Sequence, residues 1–192
     1  IVEAEHIFIR NGFSAPNKTK LNILEVGFGT GLNALLTYQK AGQKSIEVNY
    51  HTIELFPVKK DSYMQLNFTD LIGLEKEKLS ILHSCTWEEE HKINNYFTLT
   101  KNNTSLEKYN TDIKFDIIYF DAFSPDKQPE LWDEGVFKKM HHFLKYDGFL
   151  VTYCAKGVVK RTMKSIGFEV VVLDGPPGKR QMTRGNKSFI KK

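Results

Sequence analysis

The stretch Asn22-Ile23-Leu24-Glu25-Val26-Gly27-Phe28-Gly29-Thr30-Gly31-Leu32-Asn33 decides the fold of this chain. Its apolar start stops at Gly27, and residues 32–41 then carry apolar side chains at the 3.6-residue period, with Gly42 as a stop. The order is strand, turn, helix. Gly27, Gly29 and Gly31 let the backbone turn sharply and approach a ligand closely, while the helix that follows offers unpaired N–H groups at its start. Such a turn, at the carboxyl end of a strand, is where open α/β sheets bind their ligands.

The pattern repeats outward from this unit. Residues 46–54 alternate at Ile46, Val48, Tyr50 and Thr52 as a second strand, and Pro57 suits the first position of a helix reaching about residue 67. A charge-laced helical stretch is expected over 69–82, a third strand over 96–100 and a short helix over 105–109. Residues 115–120, apolar apart from Asp116, read as a fourth strand. A helix over 129–144 follows, with Leu131, Val136, Met140, Phe143 and Leu144 facing inward, and then a fifth strand over 148–153. The chain closes with a helix over 156–166, a strand over 168–173 and a last strand over 181–184, after the turn Gly175-Pro176-Pro177-Gly178. Alternating strands and helices predict a doubly wound, Rossmann-like α/β fold, its mostly parallel seven-stranded sheet covered by helices on both faces. No repeat or linker divides the chain, so 1–192 reads as one domain whose basic C-terminal part is 156–192.

Composition narrows the function. With 192 residues, 41% hydrophobic and 26% charged, the chain can bury a core, and disorder, collagen and coiled coil are excluded. Cys85 and Cys154 are its two cysteines and lack close Cys or His partners, so neither a disulfide scaffold nor a structural zinc site is expected, and the cytoplasm is the expected compartment. His83, His141 and His142 likewise lack metal-ligand spacing. The apolar runs fall short of the ~20 residues of a spanning helix. Residues 1–10 carry Glu3, Glu5 and His6, which does not suit a signal peptide, and a start at Ile1 reads as a trimmed N-terminus. Charge is unevenly placed. Residues 156–192 hold ten Lys and Arg against Glu169 and Asp174, a basic arm on an acidic body and a footprint for a phosphate-rich partner.

The glycine loop reads G-x-G-x-G, whereas the dinucleotide fingerprint wants its third glycine one place later, where Leu32 stands. Glu54 closes the second strand 23 residues beyond Gly31, where a carboxylate can accept both ribose hydroxyls of an adenosine. Glu25 stands where it would meet a cationic amino group. Together these suit S-adenosylmethionine, which offers a ribose diol, an ammonium and a sulfonium but no pyrophosphate. Asp121 follows the fourth strand directly, so its carboxylate is expected beside the loop. Ala122-Phe123-Ser124-Pro125-Asp126-Lys127-Gln128-Pro129-Glu130-Leu131-Trp132 then forms a stiff loop in which Phe123 and Trp132 could stack on a base, although a core role suits Trp132 better.

At this point the chain resembles the MnmC-type tRNA methyltransferases, which act on 5-aminomethyl-2-thiouridine at the wobble position. The resemblance is carried by residues 24–33, by Asp121-Ala122-Phe123-Ser124-Pro125 continuing to Pro129-Glu130-Leu131-Trp132, by Lys156-Gly157-Val158-Val159-Lys160-Arg161 with Gly167-Phe168, and by Gly175-Pro176-Pro177-Gly178-Lys179-Arg180-Gln181-Met182. Glu5-His6-Ile7-Phe8-Ile9 is similar to the family's lead-in strand. The family often has Gly-Asp before its third helix, and Asn102-Asn103 lies near that point. The resemblance implies methyl transfer from S-adenosylmethionine to a tRNA amine. Glu25, Gly27, Phe28, Gly29, Gly31, Asn33, Glu54, Asn103 and Asp121 are the expected cofactor contacts, with Asp121 as the catalytic group that orients the amine. Phe123, Pro125, Lys127, Trp132, Lys156, Lys160, Arg161, Lys179 and Arg180 are expected to meet the anticodon stem-loop, the basic ones through phosphates. Bifunctional members also carry an FAD-dependent oxidase, for which this chain has no room, so coupling to a separate oxidase is expected. No metal is implied. A nicotinamide-dependent oxidoreductase would share the strand, loop, helix and Glu54. A catalytically silent RNA-binding module would need only the basic arm, and methyl or aminopropyl transfer to a small amine would favour an acidic pocket.

Overall fold

The computed structural model describes residues 1–188, so Lys191 and Lys192 of the basic arm lie outside the described residues. One mixed sheet organises the chain. Its strands are β1 (Lys20–Val26), β2 (Glu47–Ile53), β3 (Glu90–Asn94), β4 (Phe97–Asn102), β5 (Phe115–Phe120), β6 (Leu144–Thr152), β7 (Glu169–Asp174) and β8 (Gln181–Asn186). They lie in the order β3-β4-β2-β1-β5-β6-β8-β7. β4, β2, β1, β5 and β6 are parallel neighbours, whereas β8 runs antiparallel to both β6 and β7. The sheet thus has eight strands rather than the expected seven. The extra one is β3, an antiparallel edge partner of β4. Its sequence Glu-His-Lys-Ile-Asn is polar because an edge strand is guarded by charge, and that polarity hides it from a search for apolar alternation.

Alternate residues of the central strands feed opposite faces. Ile23, Tyr50, Ile117, Tyr119 and Val151 join one core, beneath the N-terminal helix and α2 (Leu32–Lys44). Leu24, Ile53, Ile118, Phe120 and Leu150 join the other, beneath α6 (Glu134–Phe143) and α7 (Gly157–Ser165). α2 runs through Gly42 and stops at Ser45, which takes the left-handed conformation. The helix expected from Pro57 to about residue 67 is reduced to α3 (Lys60–Tyr63), the helical stretch expected over 69–82 forms as two pieces, α4 (Phe68–Ile72) and α5 (Glu77–Ser84), and residues 105–109 make a turn. The helix expected over 129–144 is broken at Asp133. A 3-10 turn, Pro129–Trp132, precedes an extended Asp133 whose Oδ1 accepts the Val136 N–H at 2.8 Å and caps α6.

The largest departure is at the start of the chain. The expected lead-in strand over 5–9 is helical: a short α1 (Val2–Ala4) continues into a wide-turned π-helix, Glu5–Phe13. Wide i to i+5 turns bury the run Ile7, Phe8, Ile9 together with Phe13, which in a strand would alternate between faces. Gly12 lets this helix lie on the Tyr119 ring, where a Cβ would stand 3.0 Å from Cε1.

Candidate active site

The parallel strands bring the ends of β1, β2 and β5 to one edge, where a cleft of about 1060 Å³ opens. Gly27, Gly29 and Gly31 all have positive φ, at 93°, 50° and 74°, so this loop demands residues without a Cβ. Their surroundings differ. A Cβ on Gly27 would stand 3.0 Å from the Asp121 carbonyl oxygen, and one on Gly31 would meet His83 and Phe28, but nothing lies within 4 Å of one on Gly29. Gly29 therefore presents bare backbone to the cleft. The Glu54 carboxylate fixes this backbone, accepting the Gly29 N–H at 2.9 Å and the Phe56 N–H at 2.8 Å. Each of its oxygens keeps a lone pair for a further donor.

Asp121 begins where β5 ends, and its backbone N–H donates to the Val26 carbonyl. Its Oδ2 accepts the Asn33 amide at 2.9 Å, from the first turn of α2. Burial pushes its carboxyl up to about 6. Glu3 adds to the rise, whereas Asn33 and Lys179 oppose it. Gly27, Phe28, Gly29, Asn33, Glu54 and Asp121 all line the cleft, as do Phe123 and Lys127.

Other expected contacts stand elsewhere. Glu25 does not reach the cleft: it is fully buried behind the loop, near Tyr50, Thr52 and Asn33, with neither oxygen at full hydrogen-bond geometry. Burial, reinforced by Asp121, raises its carboxyl well above the usual range, and the side chain lies outside the cleft lining where a ligand's ammonium would be met. Its β1 position pairs it with Thr52 and Tyr119, and side chains on that face enter the core. Gly31 caps α2 from behind. Asn103 donates to the Glu54 carbonyl at 2.8 Å and steadies that corner, while Thr104, Ser105 and Leu106 form the wall beyond it. Trp132 is a core residue, packed edge-on against Phe120 and Tyr153, and its indole N–H holds the Phe123 carbonyl at 2.8 Å. Pro125 lies outside the lining. Lys156, Lys160, Arg161, Lys179 and Arg180 lie outside it too. Lys156 pairs with Asp126, and Lys179 pairs with Glu3, which does line the cleft.

Several contributing residues carry no signal in the sequence. Ile1, Glu3, Ala4 and Phe8 of the N-terminal helix wall one side, with Tyr153 beside them. His83, read from the sequence only as lacking metal-ligand spacing, stacks on Tyr63 with ring centres 4.2 Å apart and places Nε2 3.0 Å from the Thr30 carbonyl. Behind it the fully buried Lys101 donates to the His83 carbonyl at 2.6 Å and faces the Trp87 ring at 4.5 Å. Burial lowers the Lys101 ammonium to about 8. These residues hold the glycine loop from the back. Cys154 is buried, and burial pushes its thiol up, as expected of an inert cysteine. Among the described residues no group of three or more His, Cys, Asp and Glu is placed to hold a metal ion, and no helix is long and apolar enough to cross a membrane.

The donor set suits S-adenosylmethionine: bare glycine backbone beside the Glu54 carboxylate on one side, and the carboxylates of Asp121 and Glu3 on the other. Comparison with known proteins bears on the same group. Residues 79–188, more than half of the chain, match a family described as S-adenosyl-L-methionine-dependent methyltransferase. The chain is 27% identical over 202 residues to the tRNA 5-methylaminomethyl-2-thiouridine biosynthesis bifunctional protein MnmC of a Marinomonas species, covering 95% of this chain and 29% of that protein. It is 29% identical over 201 residues to the MnmC protein of Cupriavidus metallidurans, with 95% and 29% covered. The chain therefore spans about three tenths of the length of these relatives. Among solved structures, MnmC2 from Aquifex aeolicus superposes with a TM-score of 0.71 at 21% identity, over 93% of this chain and 56% of that one. Spermidine synthase from Thermotoga maritima superposes with 0.62 at 15% identity, over 98% and 60%. These two likenesses show the fold, and the matched family shows the chemistry: the chain belongs to the S-adenosyl-L-methionine-dependent methyltransferases, of the MnmC type.

Proposed function

We propose that this chain, acting as one methyltransferase domain, methylates the primary amine of 5-aminomethyl(-2-thio)uridine at the wobble position of tRNA. The observation that carries this reading is a division of charge. The cleft is lined by Glu3, Glu54, Glu107, Asp121, Glu130 and Asp133 against Lys127 and Lys139, which draws in a cation such as an alkylammonium. Outside it, Lys156, Lys160, Arg161 and Lys164 on and beside α7, with Lys179 and Arg180 in the turn between β7 and β8, supply cations suited to phosphates. A small amine would need the first feature alone, whereas an amine carried on a nucleic acid uses both. The names of the relatives support the same acceptor.

Bound S-adenosylmethionine supplies a methyl group on a sulfonium. Gly27, Gly29, Glu54 and Asn33 are the residues that would hold it, and Phe28 supports the loop from below. The rest is alignment and proton handling. The amine attacks through its lone pair, so an ammonium drawn to the cleft must release its extra proton to solvent before the new N–C bond can form as the sulfonium C–S bond breaks. Asp121 is an acceptor at neutral pH, since its carboxyl, raised to about 6, is still ionised there. One oxygen is engaged by Asn33, and the other takes a hydrogen bond from the amine and points the lone pair. Phe123 stands exposed at the rim, with its carbonyl fixed by Trp132, and offers a ring for the uracil. The reaction belongs in the cytoplasm with tRNA, functionally coupled to an FAD-dependent oxidase that exposes the amine.

Nucleoside mass spectrometry of tRNA carrying 5-aminomethyl-2-thiouridine, incubated with the chain and S-adenosylmethionine, tests the reading. A gain of one methyl at that nucleoside is the expected result. Methylation of free polyamines with none on tRNA would assign a small-amine enzyme instead.

A further inference from the structure

The cleft crosses the sheet edge. Toward β2 and β4 it is walled by Glu54 and Thr104, and toward β5 and β6 by Asp121, Tyr153 and the N-terminal helix with Glu3. Strands lie about 4.8 Å apart, so the walls at β2 and β6, three spacings apart, are separated by about 14 Å. On the β6 side, Lys179 reaches over from the turn between β7 and β8. Its Nζ lies 2.5 Å from Glu3 Oε1 and 4.8 Å from the centre of the Tyr153 ring. A carboxylate together with an aromatic face is a cage for an alkylammonium. Glu3 and Tyr153 line the cleft and Lys179 does not, so the lysine enters this cage from outside.

Both walls of the cage are fixed. The Tyr153 hydroxyl donates to the Ala122 carbonyl at 2.9 Å, next to Asp121. The helix bearing Glu3 is anchored by buried Ala4, Ile7 and Phe8, and by a 2.8 Å contact between His6 Nε2 and the Asp174 carbonyl. The occupant is different. The side chains of Lys179 and Glu3 are 42% and 48% exposed, and an ion pair of that kind exchanges at little cost.

The geometry points to Glu3 and Tyr153 as a niche for a primary ammonium group, filled in this structure by Lys179 and taken over by the amine of a ligand. A displaced Lys179 is then available on the basic surface to meet a phosphate, so the arrival of the amine and the docking of its carrier are served by one lysine. Two ligands bring such a group: the acceptor, where the inference rests on the proposed function, and the amino-acid end of S-adenosylmethionine, where it does not.

Titration calorimetry on the full chain separates the sources. The ligands are S-adenosylmethionine and, with S-adenosylhomocysteine present, 5-aminomethyluridine and uridine. Glu3→Gln is expected to weaken an ammonium-bearing ligand about tenfold through loss of a charge-assisted bond, with uridine unchanged and Glu3→Asp recovering most of the loss. Whichever ligand weakens is the occupant. Lys179→Met removes the competitor and is expected to tighten the same ligand by about threefold. Unchanged affinities in Glu3→Gln, no binding of either ligand by the wild type, or a Lys179→Met loss as large as that of Glu3→Gln would each overturn the niche. A wild type that binds 5-aminomethyluridine through Glu3 yet methylates no tRNA refutes the proposed function alone. A wild type that methylates tRNA while Glu3→Gln leaves every affinity unchanged refutes the niche alone.

Discussion

Strand β5 carries an aspartate near each end, and the two have opposite surroundings. Asp116, at the amino end, accepts Lys18 Nζ at 2.6 Å, Lys145 Nζ at 2.8 Å and the Asn22 N–H at 2.8 Å. Burial pushes its carboxyl up, but these donors outweigh burial and hold it below its ordinary value. Asp121, just past the carboxyl end, has one neutral donor, Asn33, and rises to about 6. The first charge is satisfied within the fold. The second is left short of partners, at the edge where a ligand enters. The pH dependence of stability follows with opposite signs. Asp116 stabilises the fold above its ordinary ionisation range, and that contribution disappears as the pH falls through its lowered value. Asp121 does the reverse: between 3.8 and about 6 the unfolded chain gives up the proton first, so stability falls as the pH rises.

Four measurements would break or sharpen this contrast. Asp121→Asn keeps the shape and the Asn33 contact but removes the charge, so the turnover number at pH 8 should fall by about 10²–10⁴-fold, as for loss of an acid–base group. A loss under threefold, with both substrates saturating, would make the two aspartates alike. Asp116→Ala should act on stability instead, lowering the free energy of unfolding in urea by about 2 kcal/mol, less than for a fully buried pair because both lysines reach solvent. Activity per folded molecule should stay the same. The third measurement is the stability of Asp121→Asn, which should exceed that of the wild type by on the order of 1–2 kcal/mol at pH 8 and by nothing near pH 3, since the raised carboxyl is a cost only once ionised. Equal stabilities at pH 8 would show that burial does not strain this group.

The smallest effect is expected furthest from the buried strand. Lys160 and Arg161 lie on α7, partly or fully exposed, and neither lines the cleft. Reversing both to Glu should raise the KM for tRNA by roughly tenfold at physiological salt and lower the log-log salt slope by about one unit per lost phosphate contact, with S-adenosylmethionine affinity unchanged. An unchanged KM would leave tRNA docking to Phe123 and Lys127 at the rim.

Local chemistry made part of this molecule legible in its sequence. The glycine loop, Glu54 and Asp121 were readable because a strand running into a helix imposes its own pattern, and because the residue after a strand must emerge at the sheet edge. Gly29 shows how far such reading goes: the sequence asks for a glycine, and the bare backbone facing the cleft is a fact of packing. Glu25 shows where it stops. Its place in the motif suggests contact with a ligand, but alternation along β1 turns its side chain into the core, where burial raises its carboxyl.

What the sequence determined by itself was the α/β order of elements, the loop that presents its backbone and the two carboxylates that flank it, because these follow from periodicity and from single residues that need particular backbone angles. Only the tertiary structure decided that the N-terminal segment is a helix carrying Glu3 to the cleft and that β8 lies between β6 and β7. These depend on contacts between residues far apart in the chain, such as Lys179 with Glu3 and His6 with Asp174, and pairing across that separation leaves no local pattern to read.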